Sequence, residues 1–367
     1  MGRAQPSYAP IAQQSFRKDQ RAKQARAIIN KTIPQILNSD ARARKGISDA
    51  ELIVSALGGS GRSRTKKATK RGGDVEADHS SPTSLNHDPA SRPLKLYIQV
   101  LDTLVAAQGL HEGSKSKKNV AILNMASPLR PGGGVLNGAT SQEELLCSRT
   151  TLLPSLREEW YRLPELGGIW SPDVLVFRLH EENLPKAQRF YVNVMSAGML
   201  RFPDLTEDGD YASRKDRDLV QEKMQSVLQI LVEKKADRVV LGAWGCGAYA
   251  NPVHEIAQAW KHALRGEIGS IKEVVFAIKD SRMARDFSKA WGDDIEVLED
   301  EKSAVVDGDI QEDEESTELL QKIRTLESQI KEVKTPMLKE SLEGTLRALR
   351  LELAKADYDE DEDEDES

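Results

Sequence analysis

Val120-Ala121-Ile122-Leu123-Asn124-Met125 runs, through Ala126 to Arg130, into Pro131-Gly132-Gly133-Gly134-Val135-Leu136-Asn137-Gly138-Ala139-Thr140-Ser141-Gln142-Glu143-Glu144. The nearly unbroken apolar run predicts a strand covered on both faces. Three consecutive glycines then give up side-chain packing and cost chain entropy. A sequence accepts that cost where backbone must lie flat against something, usually a phosphate or a sugar. After a gap of seven residues come a glutamine and two adjacent carboxylates, at the start of a helical run. Together they point to a sugar-phosphate ligand whose glycosidic bond is cut. Ser141-x-x-Glu144 and Thr140-x-x-Glu143 each satisfy a capping box, but capping explains neither the glycines nor Gln142.

Outward from this stretch, further strands are expected at 174–177, 191–195, 238–243 and 274–278. Helices are expected at 101–110, 143–157, 212–235 and 253–265. Strands alternating with helices of this length predict an α/β sheet with helices on both faces. Residues 18–39 carry Ala25, Ile28, Ile29, Ile33, Ile36 and Leu37 on one face of a helix, which Pro34 should kink or split.

The second glycine loop is Leu241-Gly242-Ala243-Trp244-Gly245-Cys246-Gly247-Ala248-Tyr249-Ala250-Asn251, between a strand and a helix. Its backbone amides, with a helix N-terminus behind them, are suited to cradle an anion. Gly245-x-Gly247-x-x-Ala250 also fits the dinucleotide fingerprint, and no Walker lysine follows. Cys246 sits inside the loop, where packing accounts for it better than a thiolate. His111, His180 and His254 fall near candidate loops and read as surface residues.

Charged residues make up 30% of the 367-residue chain and hydrophobic ones 39%, a balance that predicts a folded core with disordered flanks. The net charge of -7 hides a basic first quarter and an acidic end. Arg64-Thr65-Lys66-Lys67-Ala68-Thr69-Lys70-Arg71 is a basic run of nuclear-signal type or a solvated linker. Leu319, Ile323, Leu326, Ile330 and Val333, then Leu338, Leu342, Leu346, Leu349 and Leu353, step by three and four around Pro336. That spacing predicts a helical hairpin or short coiled coil, a surface for a protein partner. Two cysteines without metal-ligand spacing, and no apolar leader, point to an intracellular, reducing compartment, nucleus or cytoplasm. No apolar run approaches the roughly 18 residues that cross a bilayer.

The glycine triplet, the seven-residue gap and Gln142-Glu143-Glu144 resemble the signature of poly(ADP-ribose) glycohydrolases. Leu123-Asn124-Met125-Ala126-Ser127, Trp170-Ser171-Pro172-Asp173-Val174 and Gly242-Ala243-Trp244-Gly245-Cys246-Gly247 are similar to the microbial-type branch. The resemblance covers roughly 94–290, with the helix at 18–39 matching the family's N-terminal portion. It implies a macrodomain-like three-layer α/β/α sandwich with a mixed sheet, binding ADP-ribose without metal or cofactor. Tyr249 stands where the bacterial proteins commonly carry Phe, and the insertion and C-terminal extension have no counterpart in the minimal domain. The expected organisation is a helical segment at 1–45, a basic flexible insertion at 46–93 and the glycohydrolase domain at 94–300. A hairpin at 301–356 and an acidic disordered tail at 357–367 complete it.

Cutting the ribose–ribose bond requires an acid for the leaving oxygen and an activated water. Neighbouring residues on a helix project about 100° apart, so Glu143 and Glu144 cannot flank one bond as an ordinary pair. The resemblance implies that Glu144 is the acid, its pKa raised by burial, and that Glu143 holds ribose hydroxyls while Gln142 orients the network. It also implies ligand contacts from Asn124, Gly132, Gly133, Gly134, Gly245, Gly247 and Tyr249, with the substrate's phosphate orienting the water. Three other readings remain: a non-catalytic ADP-ribose reader, a mono-ADP-ribosyl hydrolase, and an NAD-dependent oxidoreductase, which lacks a recognisable hydride-transfer site.

Overall fold

The computed structural model describes residues 9–55, 94–112, 119–179, 182–266 and 268–298, with isolated helical positions between 326 and 349. Three helices, α1 (Ala9–Ala27), α2 (Ile33–Ser39) and α3 (Ala41–Ser48), lead into β1 (Glu51–Val54). Then come β2 (Lys95–Gln99), α4 (Thr103–Glu112), β3 (Val120–Met125), α5 (Gln142–Arg149) and β4 (Gly167–Val176). A small hairpin, β5 (Arg178–Leu179) with β6 (Glu182–Asn183), precedes β7 (Phe190–Ala197), α6 (Arg214–Glu233) and β8 (Arg238–Leu241). The described domain ends with α7 (Val253–Leu264), β9 (Glu273–Ala277), α8 (Ser281–Trp291) and β10 (Glu296–Leu298).

One sheet of eight strands runs in the order β1-β4-β7-β3-β8-β9-β2-β10. The six from β7 to β10 pair in parallel, and β4 pairs antiparallel with both β7 and β1. Residues alternate between two apolar cores, as the period of two along a strand requires. Ala121, Leu123, Val239, Leu241, Val274 and Phe276 face α6, α7 and α8. Val120, Ile122, Val240, Val275 and Ala277 face α4 and α5. Each strand therefore reads as continuously apolar, and the expected mixed α/β/α sandwich is observed.

The expected N-terminal helix splits ahead of Pro34. Ile28–Thr32 forms a π-helical turn, and Pro34 occupies the first turn of α2. The wider turn spares the clash a proline ring makes with the carbonyl four residues earlier. Residues 46–54 do not belong to the insertion: they close α3 and form β1, whose Glu51–Val54 pair with Trp170–Gly167 of β4. Residues 56–93 lie outside the described residues, as do the acidic tail and nearly all of the expected hairpin.

The helix expected at 143–157 stops at Arg149. Thr150 bonds back to the Leu146 carbonyl (2.8 Å), and Thr151 N–H pairs with Leu175 of β4 (3.0 Å). The strand expected at 174–177 begins earlier, at Gly167, because a bulge at Pro172-Asp173 interrupts the apolar run that marked it. That bulge seats α3. Arg42 pairs with Asp173 (2.6 Å) and lies 4.0 Å over the Tyr191 ring, whose hydroxyl reaches Asp40 (2.7 Å). Asp40 also caps α3 through the Ala43 N–H (2.9 Å). Among the described residues, no helix is long and apolar enough to cross a membrane.

Gly46 sits where α3 meets the bulge, and a Cβ there would strike the Pro172 carbonyl oxygen. Alanine in an ordinary helix position gains up to about 1 kcal/mol over glycine. Gly46→Ala is expected to lose about 1–3 kcal/mol instead, the usual cost of overpacking. Urea unfolding checks the sign; a stabilised variant means α3 does not rest on β4.

Candidate active site

Three neighbouring parallel strands, β7, β3 and β8, end at the same edge of the sheet. From β3 the chain goes out to β4 and β7 on one flank, then returns to β8 on the other. Ligand crevices open at such a change of direction, beyond the carboxyl ends of the strands. The first glycine loop leaves β3 there, and the second leaves β8.

Ser141 occupies the N-cap of α5 but its side chain makes no capping bond. The acids behind it reach outward to the loop instead, so the capping reading fails. Glu143 is 2% exposed and Glu144 7%. Glu143 accepts from Ser127 N–H (2.7 Å), from the Asn124 amide (3.3 Å) and from Gly132 N–H. Glu144 Oε1 accepts from Gly134 N–H (2.9 Å). Gln142 clasps β3 from both sides of Asn124: its oxygen accepts from Met125 N–H (2.8 Å) and its nitrogen donates to the Leu123 carbonyl (2.8 Å) and to Thr103 (3.2 Å). Asn124 is wholly buried behind Glu143, its amide shared between that carboxylate and Ser196 (3.0 Å).

These contacts bear on two expectations. Three of the roughly four acceptor sites on the Glu143 oxygens are taken, which leaves one for a ribose hydroxyl. Asn124 supports Glu143 from within and does not face the crevice.

The glycine triplet lies flat against the carboxylates themselves. Gly133 has a φ of 53°, and a Cβ there would strike Glu144 Oε1 and come within 3.2 Å of Glu143 Oε2. A Cβ at Gly132 would press on Leu153 (2.7 Å) and the Cys147 sulfur (3.3 Å). Burial, and next the charge of Glu144, raise Glu143 from an ordinary 4.5 to about 8, against the lowering pull of its donors. The two acids titrate as one unit, which keeps a proton at neutral pH. A carboxyl raised on folding gives stability that is complete below about pH 4.5 and lost as pH rises through about 8. Cys147 beneath the loop is pushed well up by burial and by both acids.

Tyr161 carries no sequence motif that marks it as a site residue. Its hydroxyl is buried without a hydrogen-bond partner among the described residues, and burial, then the charges of Glu143, Cys147 and Tyr249, push it up. That combination places the phenol between α5 and the second loop.

In the second loop, the amides of Trp244, Cys246, Ala250 and Asn251 are used within the turn. Asn251 braces it, donating to the carbonyls of Leu200 (2.8 Å) and Gly245 (3.0 Å) and accepting from Tyr211 (2.8 Å). Gly247 borders open space. Tyr249 is half-buried, with the Arg201 guanidinium 5.3 Å from its ring centre. Burial raises the Cys246 thiol, in keeping with a packing role. His111 and His254 are exposed, and His180 lies outside the described residues.

Asp210, His254 and Glu255 bring ligand-type atoms within 4.8 Å of one another. Arg217 already grips Glu255 (3.0 Å from Nε to each oxygen), which opposes a cation there. A cavity of about 210 Å³ beside it, lined by Arg217, Glu255 and Lys261, lies across the sheet from the acid pair and holds none of the expected site residues.

Gly133→Ala is expected to cost about 1–3 kcal/mol, from overpacking against Glu144 and the strained backbone. In a Glu144→Gly background the same change should cost at least about 0.5 kcal/mol less, because the struck carboxylate is gone. Denaturant unfolding of the four proteins gives the cycle; additive losses would refute the contact.

Residues 62–179, which include β3, the first loop and α5, match the family model for the catalytic domain of microbial-type PARG. The fold is similar to the crystal structure of poly(ADP-ribose) glycohydrolase from Thermomonospora curvata, at a TM-score of 0.56 and 23% identity over 74% of this chain and 99% of that one. It is also similar to that enzyme bound to the inhibitor ADP-HPD, at 0.54 and 21% over the same shares. No curated protein matches the chain. Over residues 62–179 the chain thus carries the catalytic-domain signature of microbial-type poly(ADP-ribose) glycohydrolases, set in the fold of the solved bacterial enzyme.

Proposed function

We propose that the protein hydrolyses the ribose–ribose O-glycosidic bonds of poly(ADP-ribose), releasing ADP-ribose, with Glu144 as general acid. The observation that carries this is the pair of buried carboxyls under a glycine loop, inside a segment of that family's signature. The terminal ribose rests against Gly132–Gly134, and the diphosphate lies toward Gly245 and Gly247, with Tyr249 closing over it. Glu144 gives its proton to the leaving ribose oxygen as the anomeric C–O bond breaks through an oxocarbenium-like state. Water, oriented by the substrate's phosphate, adds to the anomeric carbon, and its proton returns to Glu144.

Glu143 is held as an acceptor by Asn124, Ser127 and Gly132 and shares one proton with Glu144, which delivers it to the leaving oxygen. Gln142 fixes the first turn of α5 on β3. This assignment needs no second carboxylate across the bond.

A non-catalytic reader of ADP-ribose gains nothing from two buried acids that repel each other. The oxidoreductase reading has no recognisable hydride-transfer site among the described residues to support it. A mono-ADP-ribosyl hydrolase would use the same pair, and products separate the two: labelled poly(ADP-ribose) should yield free ADP-ribose, whereas release only from mono-modified protein would favour the other enzyme. The basic run at 64–71 and the unbridged Cys147 and Cys246 support a nuclear or cytoplasmic setting. The leucine spacing after residue 319 supports a protein partner.

Glu144→Gln should lower turnover by roughly 10²–10⁴ and leave ADP-ribose affinity within a few-fold. An active Glu144→Gln beside a dead Glu143→Gln would reverse the two roles.

A further inference from the structure

Between α1 and α5 lies a cavity of about 70 Å³ that the proposed chemistry has not used. Glu144 lines it, together with Arg21, Gln24, Ser148, Arg149 and Arg178. Three guanidinium groups around one small space, beside an acid, form a strongly cationic pocket. Two of the three are committed. Arg149 pairs with Asp102 (3.0 Å), and Arg21 Nε donates to the Gly138 carbonyl (2.9 Å).

Arg178 is held differently. With the Gln24 amide oriented oxygen-inward, both terminal nitrogens of Arg178 lie 3.3 Å from that oxygen. Its Nε is buried without an acceptor, and among the described residues no carboxylate pairs with it. A buried guanidinium donor left unmade is costly, and an anion with two oxygens is the group that matches its fork.

Geometry says which anion. A proton from Glu144 reaches only an oxygen beside Glu144, so the leaving unit must pass that residue. Glu144 is tied to the first loop through the Gly134 N–H and packs against Gly133. Glu144 also lines the cavity, which places that space beside the oxygen that takes its proton. In the polymer, the leaving unit carries a diphosphate of its own.

We propose that this cavity is a subsite for a phosphate of the ADP-ribose unit on the leaving side of the cut bond, with Arg178 as its bidentate donor; this rests on the glycohydrolase reading. The subsite favours polymer over a single ADP-ribosyl group, since only polymer fills it.

The test uses the full chain and its Arg178→Gln and Arg178→Lys variants, with purified poly(ADP-ribose) and ADP-ribose as probes. For Arg178→Gln, kcat/KM on the polymer should fall roughly 10–100-fold, the size of a lost charged hydrogen bond. ADP-ribose affinity and melting temperature should stay at the parent's values. Arg178→Lys should recover part of the loss, because it keeps the charge without the fork. An unchanged kcat/KM overturns the subsite. Equal losses of ADP-ribose affinity put Arg178 at the terminal unit and overturn it too. A melting temperature lowered by several degrees makes Arg178 a structural tie to Gln24 and likewise overturns the subsite. If the parent binds ADP-ribose but cannot cut polymer, the glycohydrolase reading itself fails and takes the subsite with it.

Discussion

Two carboxylates in the first turn of α5 are held by amides of the loop that leads into that helix: Ser127 and Gly132 on Glu143, Gly134 on Glu144. Everything else at the site follows from satisfying those buried charges. Ser127 lies two residues beyond β3, and Gln142 clamps the helix to the backbone at Leu123 and Met125. The loop must approach within hydrogen-bonding distance of both acids, so Gly133 can carry no side chain. Beneath it, Cys147 fills the remaining volume as a protonated, buried thiol.

The N-terminal helices belong to the same arrangement. α1 reaches the loop through Arg21 on the Gly138 carbonyl, and α3 locks onto the β4 bulge through Arg42 and Asp173. A segment far from the acids in sequence thereby forms one wall of the cavity beside Glu144. Buried Lys223 of α6 performs a comparable task on the other flank, donating to the carbonyls of Glu165 (2.7 Å) and Gly198 (3.2 Å).

Much of this is legible in the sequence, for physical reasons that differ by element. The central strands show because both faces are buried, and Val120–Met125 stands out to the residue. Short or weakly apolar elements do not. β1 has four residues, and α8 buries only Ala284, Phe287 and Trp291. The glycine triplet and the acids mark the site, yet the sequence does not say what the glycines touch: they accommodate the protein's own carboxylates. Asn124 was expected in the crevice and sits behind Glu143, since a strand-end position does not say which neighbour captures the amide. Tyr161 and Arg178 carry no local motif, and only the folded chain brings them to the acids.

The proposed chemistry requires the acid pair to retain one proton at neutral pH. Carbon-13 NMR of glutamate-labelled protein, with the two signals assigned from Glu143→Gln and Glu144→Gln, measures this directly. Titration from pH 4 to pH 10 is expected to show one proton leaving the pair only near pH 8, far above an ordinary carboxyl. Two signals that both titrate near 4.5 would mean that the pair is fully ionised at neutral pH, and no acid would be left to protonate a leaving sugar.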